Sequence, residues 1–494
     1  MLGFEMVADF DEAIADIEST VGLVSNSNFV EPMSTSSLAL DLLCFGRISG
    51  GLFVTCFGKE QSAKSTTADD MLAFHVAQYA KIKRDDPELT NFIPFMAKFD
   101  YEGSFDAAHD GLFMNMVHKY MPSATYEEVF GVKDATGNYE VSPVFRYYKL
   151  SKMESFFDML HSLSKKLPDL RVLNGSTYAV YDKKQEDKKK FADKGLYKKT
   201  GLLWCKIPDE IKVPFQVLVS PDSYPAMLPA CADDDEANKQ MALLAREFAK
   251  QIPRVKGAFR DKRIITWGIN QYRERPGFTM GSNLYEPCGG ALRFASDLRI
   301  GASAISLSTA GIKAKAGETL EKEDSVLHPG LQDSYSYIQF VTAKNKIGGL
   351  DRLQVRLRLW RASGKKMGLG LDPAYDTYMA LKMLGMLNPK STKNNIRFVD
   401  CYGLEEAPKS MSWSQFKTLT LVPMVKRADI HRVLTEVGLP GMKPFDLRAR
   451  LRKGILHGDL VPRFKASLMG DTDFQVDEDE EIEIEASDDD VKYE

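Results

Sequence analysis

Apolar runs of strand length alternate with stretches of helical periodicity along most of this chain. The runs that predict strands cover residues 52–57, 92–99, 215–220, 263–269, 291–300, 337–343 and 353–360. The stretches that predict helices cover residues 8–22, residues from the turn after 57 to about 80, and residues 150–167, which Pro168 ends. This alternation predicts an α/β fold with a mostly parallel central sheet.

Two segments depart from the alternation. Residues 165–212 are rich in lysine and weakly apolar, which predicts a surface insertion. From about Ala407 onward the chain is helical and basic, which predicts a small separate domain. A chain of 494 residues is long enough for about two to four domains.

The charge is distributed unevenly. Residues 471–494 carry a net charge of -12, whereas the preceding 470 residues carry +8. A basic body with an acidic tail favours a polyanionic partner for which the tail competes. A solubilising, disordered tail explains the same pattern equally well.

Several classes of protein do not fit this sequence. The six cysteines lie far apart without a CxxC pair, and the seven histidines form no HExxH-type pair, so zinc chemistry is not expected. The spacing of the cysteines also favours a reducing compartment. Apolar runs are too short for a membrane helix, and the acidic N-terminus does not resemble a signal peptide. We therefore expect an intracellular, cytoplasmic protein without a membrane partner.

A phosphate-binding loop is predicted between the first strand and the following helix. Residues 58–65 read G-K-E-Q-S-A-K-S, which matches the P-loop pattern G-x-x-x-x-G-K-[ST] except that Ala63 replaces the second glycine. Lys64 would reach the β- and γ-phosphates of ATP, and the Ser65 hydroxyl would bind Mg²⁺. Ala63 is compatible with this role if its φ is negative. A helix N-terminus without a ligand is the alternative, but it does not explain why Lys64 and Ser65 occur together.

Carboxylates follow two of the predicted strands. Glu102, in D-Y-E-G-S-F-D, lies just beyond strand 92–99, at the edge of a parallel sheet where ligands bind. It is a candidate to activate water, although a solvated turn acid is the simpler explanation for this segment alone. Asp222 follows strand 215–220 and is a candidate magnesium ligand. Pro221 lacks an N–H, which predicts that the strand ends before it.

Together and in this order, these motifs resemble the ATPase core of RecA-family recombinases, including those of bacteriophages. The resemblance runs from about residue 34 to about residue 385 and begins with STSSLALDLLCFGRISGG. It implies a RecA-like P-loop core over residues 34–390, an oligomerisation segment over 1–33, a helical C-terminal domain over 391–470 and a disordered tail over 471–494. The insertion and the 120-residue separation of Glu102 from Asp222 depart from compact family members.

The resemblance also implies roles for individual residues of the ATP site. Glu102 would be the catalytic carboxylate, assisted by Lys64, and Gln271 would couple the γ-phosphate to DNA. Ser65 and Asp222 would hold Mg²⁺. The residues expected to contact ATP are Gly58, Lys59, Glu60, Gln61, Ser62, Ala63, Lys64, Ser65, Thr66, Asp106 and His109.

The strongest single match is WGINQYRERPGFTMGSNLYEPCGGALRF, where the family has a strand ending in I-N-Q and a mobile DNA-binding loop. Arginines suit phosphates, and Phe278 and Met280 suit insertion between bases. The residues expected to contact DNA are Arg273, Arg275, Phe278, Thr279, Met280, Gly281, Ser282, Asn283, Gly289 and Gly290. An ordinary long surface loop is the alternative, but 17 residues of this composition are more often functional.

The segment T-A-K-N-K-I resembles a family motif that implies contacts from Lys344 and Lys346 to the ATP of a neighbouring subunit. The expected partners are therefore single- and double-stranded DNA, further copies of the chain in a helical filament, and mediator and single-strand-binding proteins. The expected function is ATP-dependent homologous pairing and strand exchange in recombination and repair of DNA damage, in a protein of viral origin acting in a bacterial host. A filament or assembly protein with little ATP hydrolysis, favoured by Ala63 and Pro221, and a helicase or motor are the alternatives.

Overall fold

The computed structural model describes residues 32–86, 95–103, 107–181, 186–208, 217–230, 237–274, 284–305, 324–325, 328–332, 334–363, 366–391, 395–399, 409–420, 429–438 and 447–469. The described residues from Lys166 to Pro214 form a compact unit of their own, and the remainder form a larger unit. The predicted helix over residues 8–22 and the acidic tail lie outside the described residues. Within the described part of the chain, no helix combines the length and apolar character that crossing a membrane requires.

The strands and helices follow one another in the order that the hydrophobic pattern predicts. The strands are β1 (Phe53–Gly58), β2 (Phe95–Asp100), β3 (Val132–Lys133), β4 (Tyr139–Val141), β5 (Phe145–Lys149), β6 (Asp169–Leu173), β7 (Ser176–Tyr181), β8 (Leu203–Lys206), β9 (Val217–Asp222), β10 (Ile264–Gln271), β11 (Arg273–Glu274), β12 (Leu284–Tyr285), β13 (Leu298–Ile305), β14 (Asp324–Ser325), β15 (His328–Gln332), β16 (Ser334–Asn345), β17 (Gln354–Ser363), β18 (Lys366–Leu371), β19 (Ile396–Arg397) and β20 (Ser410–Met411). The α-helices are α1 (Leu38–Leu43), α2 (Lys64–Asp85), α3 (Ala107–Tyr120), α4 (Tyr126–Phe130), α5 (Met153–Lys166), α6 (Lys194–Thr200), α7 (Ala237–Lys262), α8 (Gly289–Ala295), α9 (Pro373–Met383), α10 (Trp413–Thr420), α11 (Ile430–Glu436), α12 (Leu447–Leu456) and α13 (Val461–Leu468).

The larger unit is built on a nine-stranded sheet in the order β18-β17-β16-β13-β1-β10-β9-β2-β5. The six strands from β13 to β5 are parallel to their neighbours, whereas β16, β17 and β18 extend the sheet in antiparallel pairings. All six residues of β1 are buried, as a central parallel strand covered on both faces requires. The α/β fold with a mostly parallel sheet is therefore confirmed.

Two predicted strands differ from the structure. Residues 291–295 of the predicted strand 291–300 belong to helix α8, and β13 begins only at Leu298. Strand β9 does not end before Pro221 but continues through it to Asp222. Proline is tolerated there because β9 pairs with β10 only as far as Val219, so that side of the strand needs no N–H from Pro221.

The C-terminal helices belong to the larger unit, and a buried ion pair joins one of them to α9. Arg448 of α12 donates to Asp376 of α9 at 2.8 Å and to the Ser36 carbonyl at 2.9 Å. The Asp376 carboxylate in turn accepts the backbone N–H groups of Leu38 and Ala39. Asp376 thereby satisfies donors at the N-terminus of α1, which have no partner within that helix.

The smaller unit contains the predicted Lys-rich insertion. It has a three-stranded antiparallel sheet in the order β6-β7-β8, together with α6 and a 3₁₀ segment over Glu186–Phe191. The lysine content of this segment does not prevent it from forming a sheet, because β7 and β8 contribute buried Ala179, Leu203 and Cys205.

Candidate functional site

The P-loop has the strand–turn–helix geometry that phosphate binding requires. β1 ends at Gly58 and α2 begins at Lys64. Gly58 has no room for a side chain, because a Cβ atom there would lie 2.0 Å from the Ala302 carbonyl oxygen. The Lys64 ammonium donates to the Lys59 carbonyl at 2.5 Å and to Ser62 Oγ at 3.1 Å. The loop therefore holds its own lysine at the helix N-terminus.

Ala63 does not have the negative φ that would make alanine readily compatible with this position. Its φ is +60° and its ψ is 24°, which is the left-handed conformation. An alanine in this conformation costs about 1–2 kcal/mol because its Cβ approaches the following carbonyl oxygen. The loop thus keeps the left-handed turn at the position where the motif has a glycine. The strained alanine lowers the stability of the folded protein.

Sheet register brings the predicted carboxylates to the same edge as the P-loop. Asp100 lies opposite Asp222 in the β2–β9 pair, and Gly58 lies opposite Gln271 in the β1–β10 pair. Because β1, β10, β9 and β2 are parallel neighbours, their carboxyl ends share one edge. Burial lowers the pKa of the Lys64 ammonium, and Asp222 and Glu102 oppose that shift through their charges.

Glu102 and Gln271 are in direct contact. Glu102 Oε1 accepts a hydrogen bond from Gln271 Nε2 at 2.8 Å and another from Ser223 Oγ at 2.6 Å. Asp100 Oδ1 accepts the backbone N–H groups of Glu102 and Gly103, which fixes the turn that carries the glutamate. The contact of Ser223 with Glu102 was not predicted, although Ser223 directly follows the predicted magnesium ligand.

Asp222 is buried beside a lysine that the sequence analysis missed. Lys98 Nζ lies 3.3 Å from Asp222 Oδ2 and 2.9 Å from each carboxylate oxygen of Asp69. Burial alone would lower the pKa of Lys98, but the carboxylates of Asp69 and Asp222 raise it above its usual value. The available signals were a lysine within the otherwise apolar residues 95–99 of β2 and an acid one helical turn after Ser65.

The donors at this edge fit Mg²⁺. Asp222 Oδ1 is buried and has no hydrogen-bond partner among the described residues. Ser65, the second residue of α2, is half-buried. A carboxylate oxygen and a hydroxyl oxygen suit this hard cation, which takes its remaining ligands from water and phosphate.

The other residues predicted to contact ATP differ in their exposure, and one of them lies outside the described residues. Lys59, Glu60 and Gln61 are exposed in the loop, and Thr66 is half-buried in the first turn of α2. His109 lies half-buried in the first turn of α3. Asp106 lies outside the described residues.

The predicted DNA-binding loop begins and ends as a two-stranded ribbon. Arg273 lies opposite Tyr285, and Glu274 lies opposite Leu284. Arg273 is exposed, and Gly289 and Gly290 form the first turn of α8 rather than part of the loop. The predicted contacts that lie outside the described residues are Arg275, Phe278, Thr279, Met280, Gly281, Ser282 and Asn283.

Lys344 and Lys346 lie at the end of β16. The Lys344 ammonium donates to the carbonyl oxygens of Arg293 and Phe294 at 2.7 and 3.0 Å. Burial, together with the charges of the nearby cations Lys346, Arg299 and Lys256, lowers the pKa of Lys344 to about 8. Positive charge is therefore concentrated around the C-terminal end of α8.

Comparison with known proteins finds a partial similarity. No family model matches the chain. RecA of Acholeplasma laidlawii is 30% identical over 165 residues, which is 31% of this chain and 49% of that protein. RecA of Mycoplasma genitalium is 33% identical over 105 residues, which is 20% of this chain and 31% of that protein. The chain thus spans at most about half the length of these curated relatives.

A solved RadB recombinase is 15% identical and covers 69% of this chain and 98% of its own, with a TM-score of 0.35. An overlap of that degree adds nothing to the fold assignment. The mostly parallel sheet, the P-loop between β1 and α2 and the local similarity to RecA proteins together define an α/β protein with a RecA-like core. The similarity points to RecA-type recombinases as a group and favours no particular member.

Proposed function

We propose that this protein is a DNA-dependent ATPase that assembles on single-stranded DNA and promotes homologous pairing and strand exchange. The observation that supports this proposal most strongly is the hydrogen bond from Gln271 to Glu102. Gln271 is the last residue of β10, and the predicted DNA-binding loop starts at the next residue. The carboxylate expected to activate water is therefore hydrogen-bonded to the residue that directly precedes the loop.

The residues at this edge of the sheet would each have a separate role in phosphoryl transfer. The P-loop amides and Lys64 would hold the ATP phosphates, and Glu102 would orient and deprotonate the attacking water. Ser65 and Asp222 would hold Mg²⁺, which neutralises charge on the phosphates. If Gln271 exchanges its hydrogen bond to Glu102 for one to the γ-phosphate, we expect the start of the loop to move with it. Loop order tied to a γ-phosphate contact is an established kind of switch.

Assembly would place Lys344 and Lys346 against the ATP of a neighbouring copy. The concentration of cations around Lys344 supports this part of the proposal, because close like charges favour an anionic partner. Double-stranded DNA, mediator proteins and single-strand-binding proteins are the further partners that strand exchange requires.

A second function, a nucleotide-binding assembly protein with little hydrolysis, is favoured by two observations. Lys98 already neutralises Asp222, the expected magnesium ligand, and Ala63 strains the P-loop. A protein of this kind would bind DNA in an ATP-dependent way without appreciable turnover.

Replacing Gln271 tests the coupling. We expect Gln271→Ala to retain ATP binding and basal hydrolysis but to lose stimulation by single-stranded DNA. Gln354→Ala, which removes an exposed glutamine that hydrogen-bonds Gln339 on the neighbouring strand, is the control and should retain stimulation. Equal stimulation of both variants would refute the proposed role of Gln271.

A further inference from the structure

The segment over residues 166–214, which contains the Lys-rich insertion, has a basic character that the nucleotide site does not use. Residues 166–214 include twelve Lys or Arg and seven Asp or Glu, a net charge of about +5. We propose that one face of its three-stranded sheet binds single-stranded nucleic acid, and that it does so without ATP.

Strand register defines this face. Arg171 of β6 lies opposite Tyr178 of β7, which lies opposite Lys206 of β8. Trp204 is two residues from Lys206 on β8, and side chains two apart on a strand point to the same side. We call these four residues the Arg171 face.

The Arg171 face combines aromatic rings with accessible cations. The Tyr178 and Trp204 rings meet edge to face with their centroids 5.9 Å apart, and the Arg171 guanidinium lies 5.6 Å from the Trp204 ring centroid. The indole N–H of Trp204 donates to Thr200 Oγ1 at 2.9 Å, which fixes the ring. Arg171 and Lys206 are exposed and Tyr178 is half-buried, so a ligand can reach all three.

This combination suits a single strand better than a duplex. Bases of a single strand stack on aromatic side chains, while flanking cations contact the phosphates. Tyr178 occupies the middle of the row with Arg171 on one side and Lys206 on the other, so one base and its neighbouring phosphates would be contacted together. The bases of a duplex are already stacked and cannot use the tyrosine in this way.

The opposite face of the same sheet supplies a matched control. Cys205 is adjacent to Trp204 and therefore points to the other side, where its thiol lies 3.7 Å from the Lys188 carbonyl oxygen. The 3₁₀ segment Glu186–Phe191 thus lies on that side, and its Lys189 and Lys190 are exposed. Removing these two lysines lowers the charge of the unit by the same amount without touching the Arg171 face.

The test uses the full-length protein without nucleotide and follows the anisotropy of a fluorescein-labelled oligothymidine across a range of salt concentrations. Arg171→Ala/Lys206→Gln should reduce the slope of log affinity against log salt by about 1.4, which corresponds to two lost phosphate contacts on a single strand. Lys189→Ala/Lys190→Ala should leave the slope unchanged. An equal loss of salt slope in the two double variants would show that only the total charge matters for binding, and it would overturn the proposal.

Two further variants guard against a folding defect and test stacking. Lys206→Gln alone, at an exposed position, should reduce the slope by about 0.7. Tyr178→Phe should retain affinity, whereas Tyr178→Ala should weaken binding about tenfold, as expected for the loss of one stacked base. The proposal is overturned if the unsubstituted protein binds no oligothymidine without ATP, prefers a duplex of the same length, or binds equally well with phenylalanine and alanine at position 178. These outcomes do not depend on ATP hydrolysis, so they are separate from the fate of the proposed function.

Discussion

Ala63 shows how one substitution within a motif preserves the geometry and carries a cost. Its φ of +60° lies in the left-handed region that glycine adopts freely and alanine does not. The conformation is imposed by the phosphate-binding turn, since Gln61 in the same turn also has a φ of +60°. The loop between β1 and α2 therefore carries backbone strain at Ala63.

Ala63→Gly should therefore stabilise the protein by up to about 1 kcal/mol, because glycine relieves the left-handed conformation. The free energy of unfolding in urea provides the measurement. Ala68→Gly, in the interior of α2, is the control and should destabilise the protein by about 1 kcal/mol or more. A loss of stability in Ala63→Gly would mean that the loop does not hold residue 63 in the left-handed conformation.

Whereas Ala63 strains the fold, Lys98 at the same edge of the sheet stabilises it, because its ammonium forms ion pairs with two buried carboxylates. Lys98→Met should lower the free energy of unfolding by about 3–5 kcal/mol, as expected when one partner of a buried ion pair is removed. Neutralising Asp69 and Asp222 to asparagine in the same variant should restore much of that stability. Urea unfolding of the single and triple variants measures these changes. An unchanged urea midpoint for Lys98→Met would show that the lysine does not stabilise the two carboxylates.

At the scale of elements, side chains of α9 and α12 stabilise the N-terminus of α1. The α1 N-terminus receives the carboxylate of Asp376, and Arg448 satisfies that carboxylate in turn. Asp376 and Arg448 thereby link the three helices through buried side chains.

Arg448→Met should lower the free energy of unfolding by about 3–5 kcal/mol, because Asp376 would remain buried without its cation. Arg450→Met, at an exposed position of the same helix, should change stability by no more than about 0.5 kcal/mol. Thermal or urea unfolding distinguishes the two. Equal effects of the two substitutions would show that helix propensity, rather than the buried pair, determines stability.

The elements also show what a pattern of apolar residues can predict. Parallel strands that are buried on both faces, such as β1 and β10, read as continuous apolar runs and were predicted within one or two residues. The segment after Cys288 was predicted as a strand because Ala291, Leu292 and Phe294 are apolar, but a run that short does not separate helix from strand. The continuation of β9 through Pro221 depends on where its neighbour stops pairing, which no local pattern contains.

At the scale of the whole molecule, the fold brings together residues that are far apart in the sequence. Glu102 and Gln271 are 169 positions apart and are in hydrogen-bond contact, which the sequence analysis did not predict. Lys98 and Asp69 were missed because a buried ion pair is created by two elements coming together, and neither residue belongs to a spacing motif. The Arg171 face was missed for the same reason, since it depends on the register of three strands.

The proposed role of Lys344 gives the proposed assembly a pH dependence that can be measured. With a pKa of about 8, its ammonium is charged below pH 8 and loses its charge as the pH rises through that value. If this charge contacts the phosphate of a neighbour's ATP, assembly on single-stranded DNA should weaken between pH 7 and 9. Lys344→Arg should remove this pH dependence because a guanidinium stays protonated.

Light scattering of the protein with ATP and single-stranded DNA, recorded across this pH range, makes the comparison. Lys346→Arg is the control and should leave the pH dependence in place. Identical profiles for Lys344→Arg and the unsubstituted protein would exclude Lys344 as the titrating contact.

The measurement that tests the central claim most directly is ATP hydrolysis with and without single-stranded DNA, beside Glu102→Gln. The account predicts strong stimulation by DNA in the unsubstituted protein and its loss in Glu102→Gln, with ATP-dependent DNA binding retained. Absence of hydrolysis in the unsubstituted protein, with ATP-dependent DNA binding intact, would contradict the claim and support the assembly protein instead. Stimulation that survives in Glu102→Gln would contradict the assignment of Glu102 as the catalytic carboxylate.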